Sequence, residues 1–389
     1  MELFCEVGLF LDIEQLKAVI LVCRLFCNIY LPIYLSRCKF SPGQMFFRLY
    51  KVPDFDVFRS YHRSQNLPLH ASLSAEIDSN IQAKSLAYAL AHLPTKTFAT
   101  ISLCFTHHDS RLGQQPLSEL LTALVPMQCS KLDISVCLGD LGDRHHADIS
   151  IAPIFTPMAF HLTDLKLDGD LGTTFFQPLL CSAAPSLEIL TLLSFTGNPN
   201  HIFPAEGWKA LLGSGEFPRL CQLKVSNNMP FSVLLEFLSH HSGISNLAIE
   251  ADAEDIGLTH DTTQAFSADS LSAISGSPQY ILALLQQASR PPSLSRLSLY
   301  AHHLPNSSIL AETHECLALC QKVDALEVSF PHSNCQIAFH EVNKFPQLDF
   351  KMLGIKRFRL MFLDFTFSSN SMMTASNGDI VVSTVLFCF

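Results

Sequence analysis

One motif recurs along this chain and restricts its fold more than any other property. An apolar residue is followed, three and five positions later, by two more. Copies begin at Phe98 (FATISL), Cys129 (CSKLDI), Leu162 (LTDLKL), Leu187 (LEILTL), Leu220 (LCQLKV), Ile244 (ISNLAI), Leu294 (LSRLSL) and Val323 (VDALEV). By difference of residue numbers, successive copies start 31, 33, 25, 33, 24, 50 and 29 positions apart. Self-similarity on this scale marks an array of stacked supersecondary units, each too small to bury its apolar face alone.

With 48% hydrophobic residues, three apolar slots fill by accident at roughly one position in nine. The motif therefore needs support from the rest of each unit. Its slots alternate with polar residues (Asp164, Lys166 and Asp168 in one copy, Gln222, Lys224 and Ser226 in another), as a strand with one buried face requires. Helix-like segments fill the intervals, over 116–126, 173–185, 205–215, 231–243, 279–289 and 309–321, and most stop near Pro or Gly. The pattern resembles that of leucine-rich repeats. The expected fold class is α/β, a horseshoe solenoid of parallel strands backed by helices. An ordinary doubly wound α/β domain is the competing reading.

The net charge of −10 removes the long-range attraction that nonspecific nucleic-acid binding needs. Thirteen cysteines lack regular spacing, and the opening MELFCEVGLFLD has no basic segment of the kind a secretory leader carries. A reducing compartment, cytoplasmic or nuclear, is expected. Residues 16–35 are apolar, but Lys17, Arg24, Asn28 and Pro32 interrupt them, so no membrane span is expected.

Residues 1–40 form a separate helical module. Asp12 is placed to cap a helix over 13–27, with Leu16, Val19, Ile20, Cys23 and Phe26 on one face. A second helix is expected to break near Pro32. Leu11-Asp12, then Leu16, then Leu21-Val22-Cys23-Arg24-Leu25-Phe26, then Leu31 to Leu35 resemble the F-box. Met1 to Val7 stand where that module has its Leu-Pro opening, so this copy reads as shortened at its start. F-box modules join substrate receptors to cullin–RING ubiquitin ligases, and F-box proteins with leucine-rich repeats form a known class with this order of parts. The resemblance implies a substrate-recognition subunit that binds the ligase adaptor through Leu11, Leu16, Val22, Cys23, Phe26 and Leu31. Without it, the same helices read as a cap on the open end of a repeat scaffold.

Residues 41–94 read as a lead-in with room for one degenerate repeat, and 95–365 as the repeats. Within them 250–278 is acidic and rich in Ser and Thr, and reads as an insertion. For a last strand, Ile355-x-x-Phe358-x-Leu360 is preferred over Phe345-x-x-Leu348-x-Phe350. Residues 366–389 read as a tail of low order.

Catalytic signatures are missing. There is no nucleophile elbow, P-loop or dinucleotide turn, and His340-Glu341 has Lys344 where a second zinc ligand would stand. His314, Cys316, Cys320, His332 and Cys335 lack the paired C-x-x-C spacing of a zinc site. Neither enzyme activity, cofactor nor metal is expected. Function then falls to the residues between the apolar slots, which would line the concave face. Asp164, Lys166, Asp168, Lys224, Glu250, Arg296, Tyr300 and Glu327 are the candidates for binding a protein substrate, joined by Lys131, Asp133, Thr191, Gln222, Asn246 and Arg359 at equivalent positions. Arg296 and Tyr300 are the expected anchors, since Arg and aromatic side chains dominate interface energetics.

Overall fold

A computed structural model of the 389-residue chain describes residues 2–20, 22–38, 46–51, 54–55, 57–58, 71–93, 97–107, 114–124, 126–138, 162–169, 173–193, 205–213, 215–226, 229–250, 265–300, 306–331, 355–363 and 382–388. Two compact units divide the chain. Met1–Leu187 make up most of the first, and most of the chain from Glu188 onward makes up the second.

The first unit opens with three helices, α1 (Glu2–Phe10), α2 (Ile13–Ile20) and α3 (Arg24–Arg37). Asp12 caps α2 reciprocally, its carboxylate accepting from Gln15 N at 2.7 Å while Gln15 Oε1 accepts from Asp12 N at 2.9 Å. The expected single helix over 13–27 is instead two, because Cys23 is extended at φ −159° and ψ 166°. Nor does Pro32 break the second helix. It sits inside α3 on an exposed face, as does Asn28 one turn earlier, where water can take the carbonyl that Pro32 cannot serve. Helix α1 was not foreseen. It lies close on α3 because Gly8 has no side chain: a Cβ there would come within 2.7 Å of Tyr30 Cδ1 and 2.9 Å of Ile33 Cδ1. Arg37 reaches back from the end of α3 to the carbonyls of Gly8, Leu9 and Leu11, which the end of α1 leaves without helical partners.

Five parallel strands follow in sequence order: β1 (Phe46–Leu49), β2 (Ser72–Ile77), β3 (Thr97–His107), β4 (Gln128–Leu138) and β5 (Asp164–Asp168). Helices α4 (Asn80–Ala91) and α5 (Gln114–Leu124) connect β2 to β3 and β3 to β4, and α6 (Thr173–Ala183) follows β5. Registers place Phe47, Leu73, Ile101, Leu132 and Leu165 side by side, all buried. The parallel ladder thus starts two strands ahead of Phe98.

The second unit holds β6 (Ile189–Leu193), β7 (Gln222–Ser226), β8 (Asn246–Glu250), β9 (Ala273–Gly276), β10 (Ser293–Leu294), β11 (Arg296–Tyr300), β12 (Lys322–Val323), β13 (Ala325–Pro331), β14 (Arg357–Leu363) and β15 (Val382–Cys388). Alternating with them are α7 (Ala205–Leu212), α8 (Phe231–His240), α9 (Pro278–Gln286) and α10 (Asn306–Ala318). Strands β6, β7, β8, β9, β11, β13 and β14 are parallel and neighbours in that order, while the two-residue β10 and β12 pair with each other. Leu190, Leu223, Leu247, Ile274, Leu297, Leu326 and Phe358 form the buried column. Within each unit the strands follow sequence order, without the reversal at a switch point that defines a doubly wound sheet.

Two expectations require correction. The stretch 250–278 is not wholly an insertion. Its residues 251–264 lie outside the described ones, but β9 occupies 273–276 and pairs on both sides. The copy is Leu271-Ser-Ala-Ile274-Ser-Gly276, with glycine in the third apolar slot. A Cβ on Gly276 would meet Ile249 O at 3.0 Å and Ile249 Cβ at 3.1 Å, so the slot is filled from the neighbouring strand. The final residues, read as a tail of low order, include β15, which pairs antiparallel along the whole of β14 from Arg357↔Cys388 to Leu363↔Val382. Its apolar, β-branched composition suits a strand.

A second column runs beside the leucines. The residue after the first apolar slot is Ser130, Thr163, Ser245, Ser272 and Ser295 in five copies, with Ala99, Glu188, Cys221 and Asp324 in the others. The Oγ of Ser245 donates to Cys221 O at 3.0 Å, that of Ser272 to Ser245 O at 3.1 Å and that of Ser295 to Ser272 O at 2.8 Å. The backbone N–H groups of the same residues reach the same carbonyls at 2.7–2.8 Å. In the first unit Ser130 Oγ donates to Ala99 O at 2.8 Å and Thr163 Oγ1 to Ser130 O at 3.1 Å. Each of these five copies is thereby tied to the one before it through the carbonyl of the residue that follows its first apolar slot.

Candidate recognition surfaces

The six adaptor-binding candidates do not share one surface. Leu16 and Leu31 are 0% and 2% exposed, packed with Ile20, Ile29, Tyr30, Tyr34 and Leu35 among the helices. They cannot touch a partner while the helices stay packed, and their role is to hold the module together. Leu11 and Phe26 are half-buried, and the Phe26 ring lies between Phe4 and Tyr30 at centroid distances of 5.9 and 5.8 Å. Val22 and Cys23 are exposed. What the sequence did not single out is the company Val22 keeps. Phe4, Val7, Leu9, Phe10, Ile13 and Leu25 are also exposed, Phe10 at 89%. Apart from Glu2 and Glu6, α1 is apolar in sequence, and a largely apolar helix reads as core, so exposure of Val7, Leu9 and Phe10 was not legible.

The second set of candidates divides between the two units. In the first, β4 and β5 present Lys131, Asp133, Asp164, Lys166 and Asp168. Registers set Lys131 opposite Asp164 and Asp133 opposite Lys166, an arrangement of unlike charges that favours the pairing. Lys131 Nζ lies 2.8 Å from Asp164, and Lys166 Nζ lies 3.3 Å from Asp168 and 3.8 Å from Asp133. The hydrogen bond to Asp164 raises the Lys131 pKa. Burial raises that of Asp133 against the attraction of Lys166 and Lys131. Asp168 is buried, while Lys131 and Lys166, with side chains 46% and 32% exposed, are the most accessible of the predicted residues here.

In the second unit Lys224 pairs with Glu250 across β7 and β8. Glu327 on β13 is held from both sides. Arg296 on β11 donates to its Oε2 through Nε at 3.1 Å and Nη2 at 2.5 Å, Ser298 Oγ donates to the same oxygen at 3.2 Å, and Arg359 on β14 lies 3.9 Å from Oε1. The Glu327 side chain is 13% exposed, that of Arg296 55%. The two predicted residues Arg296 and Glu327 are thus brought together as a pair. Tyr300, at the far end of β11, is half-buried. Arg357, on the same face of β14 as Arg359, and the Lys322–Asp324–Lys356 group were not expected. Hydrogen bonds from Lys322 and Lys356, at 3.0 and 3.3 Å, hold the Asp324 carboxyl below the usual carboxylate range.

No protein-family model and no curated protein matches this sequence. Among the described residues no group of three or more His, Cys, Asp and Glu is placed to hold a metal ion. His314, Cys316 and Cys320 are on or just after α10, while His332, Cys335, His340, Glu341 and Lys344 lie outside the described residues. Burial pushes the Cys129 and Cys320 thiols up to about 12 and the Cys316 thiol further, which leaves them protonated and unreactive at neutral pH. No described helix is long and apolar enough to cross a membrane. The surfaces offer two kinds of chemistry: exposed apolar side chains in the helical module and rows of paired charges on strands.

Proposed function

We propose that this chain is the substrate-recognition subunit of a cullin–RING ubiquitin ligase, with an F-box-like helical module followed by leucine-rich repeats. The repeat reading is supported by the recurring L-x-x-L-x-L copies, by parallel strands in sequence order and by the hydroxyl hydrogen bond that recurs at the same position in five of the copies. The observation that carries the ligase reading is the set of large apolar side chains exposed on the three N-terminal helices and at Val22 between two of them. Apolar surface of that kind marks protein contacts where it is contiguous, and Val22 and Leu25 belong to the run that resembles the F-box. The adaptor binds there, and a protein substrate binds the polar strand faces.

The test is co-purification of the full-length chain with the ligase adaptor. Val22→Asp combined with Leu25→Asp should abolish it without moving the thermal midpoint, since both side chains are exposed. Failure of the unaltered protein to co-purify would overturn the ligase reading. The remaining reading is a repeat scaffold whose N-terminal helices act as a cap, favoured by the burial of Leu16, Ile20, Ile29, Leu31 and Leu35, which a cap requires.

A further inference from the structure

The chain carries 25 Lys and Arg against 35 Asp and Glu, yet one region of the second unit reverses that balance. On β11, β13 and β14 and in the turns leading into them stand Arg296, Lys322, Lys356, Arg357 and Arg359, with only Asp324 and Glu327 as acids. Arg296 and Arg359 approach Glu327 together, so one carboxylate meets two guanidinium groups. Glu327 and Ser298 also orient Arg296, which lowers the entropy lost when its outward N–H groups engage a ligand. Registers put Ala325 beside Arg357 on one row, and Glu327 between Ser298 and Arg359 on the next. Along β14 the side chains of Arg357 and Arg359 share the outer face, with Phe358 buried between them, which sets them about 7 Å apart. Carboxylates on alternate residues of an extended peptide have that same spacing.

We propose that the β11–β13–β14 face binds an acidic peptide segment of a protein partner, with Arg296, Arg357 and Arg359 as the anchors for carboxylates at alternate positions. The proposal rests on the polar strand face being the recognition surface, and it adds the chemistry of what is recognised. Arginine suits the role because its planar fork meets a carboxylate with two donors at once.

The test uses the full-length protein and a fluorescently labelled twelve-residue Glu-Ser repeat peptide, followed by anisotropy. Gln-Ser and Lys-Ser repeats of equal length and a twelve-nucleotide single-stranded DNA serve as comparisons. The Glu-Ser peptide should bind, the Gln-Ser and Lys-Ser peptides should not, and binding should weaken as salt rises. R357Q combined with R359Q should weaken it at least about tenfold with an unchanged thermal midpoint, while K84Q, at an exposed position on α4 outside every candidate surface, should leave it unchanged. Equal binding by the double variant, no binding by the unaltered protein, or tighter binding of DNA than of the Glu-Ser peptide would each overturn the proposal. Capture of partner proteins by the same double variant separates the two levels. Capture lost without any Glu-Ser binding refutes the acidic chemistry alone, whereas capture retained removes the face itself.

Discussion

At the scale of single residues, the slots of the repeat were the most legible part of the chain. Leu223 lies between Leu190 and Leu247 and is 1% exposed, and Leu223→Ala should cost about 2–5 kcal/mol in denaturant unfolding. Its exposed neighbour Gln222 should tolerate Ala within about 0.5 kcal/mol. Ser245→Ala removes the hydroxyl bond to Cys221 O but leaves the N–H bond, so a smaller loss of about 0.5–1.5 kcal/mol is expected from the same measurement. Asp133 gives a pH-dependent case. Burial raises its folded pKa above the unfolded value, so its contribution is fully present below the unfolded value and is lost as pH rises through the folded one. Asp133→Asn should therefore gain on the unaltered protein as pH rises from about 3 to 7, and a widening deficit over that range would refute this. Which charges would pair was not legible. Sequence named Arg296 and Glu327 as independent contacts, because nothing in a one-dimensional pattern fixes the register that sets β11 against β13.

At the scale of elements, strands and helices were found where periodicity was strong and missed where a slot was filled by an unusual residue. Strand β9 escaped because glycine occupies its third slot, and a residue without a side chain breaks an apolar pattern even when the site demands it. Gly276→Val should destabilise the β8–β9 pairing by about 1–3 kcal/mol, read by denaturant unfolding and by faster amide exchange at Leu247 and Ile249. Pro32 misled in the opposite direction, since it sits on the exposed side of α3, where water can take the Asn28 carbonyl that it cannot serve. The N-terminal helices show the wider limit. Apolar composition marked them as important but could not tell Leu16, which is core, from Val22, which is exposed.

At the scale of the molecule, the alternation of strand and helix made the α/β class legible, while the arrangement of candidate residues on each unit depended on registers. Because each copy is bonded to its neighbours, a disturbance should spread by adjacency. Leu297→Ala should raise amide exchange first in β9, β11 and β13, leaving β2, β3 and β4 protected, and uniform loss across all strands would contradict a nearest-neighbour array. The serine and threonine column has a further consequence for how such an array finds its alignment. Apolar side chains recur every second residue along a strand, so a slip of two positions keeps them on the buried face and still sets one apolar slot against another, Leu223 beside Ile249 for example. Hydrophobicity alone discriminates against that alignment only in part. Where a copy carries a hydroxyl that donates to one particular carbonyl of the preceding copy, it has only one position in which it fits. After a two-residue slip Ser245 and Ser272 would no longer meet those carbonyls. The column works as a second key, adding to the leucines a preference for one alignment.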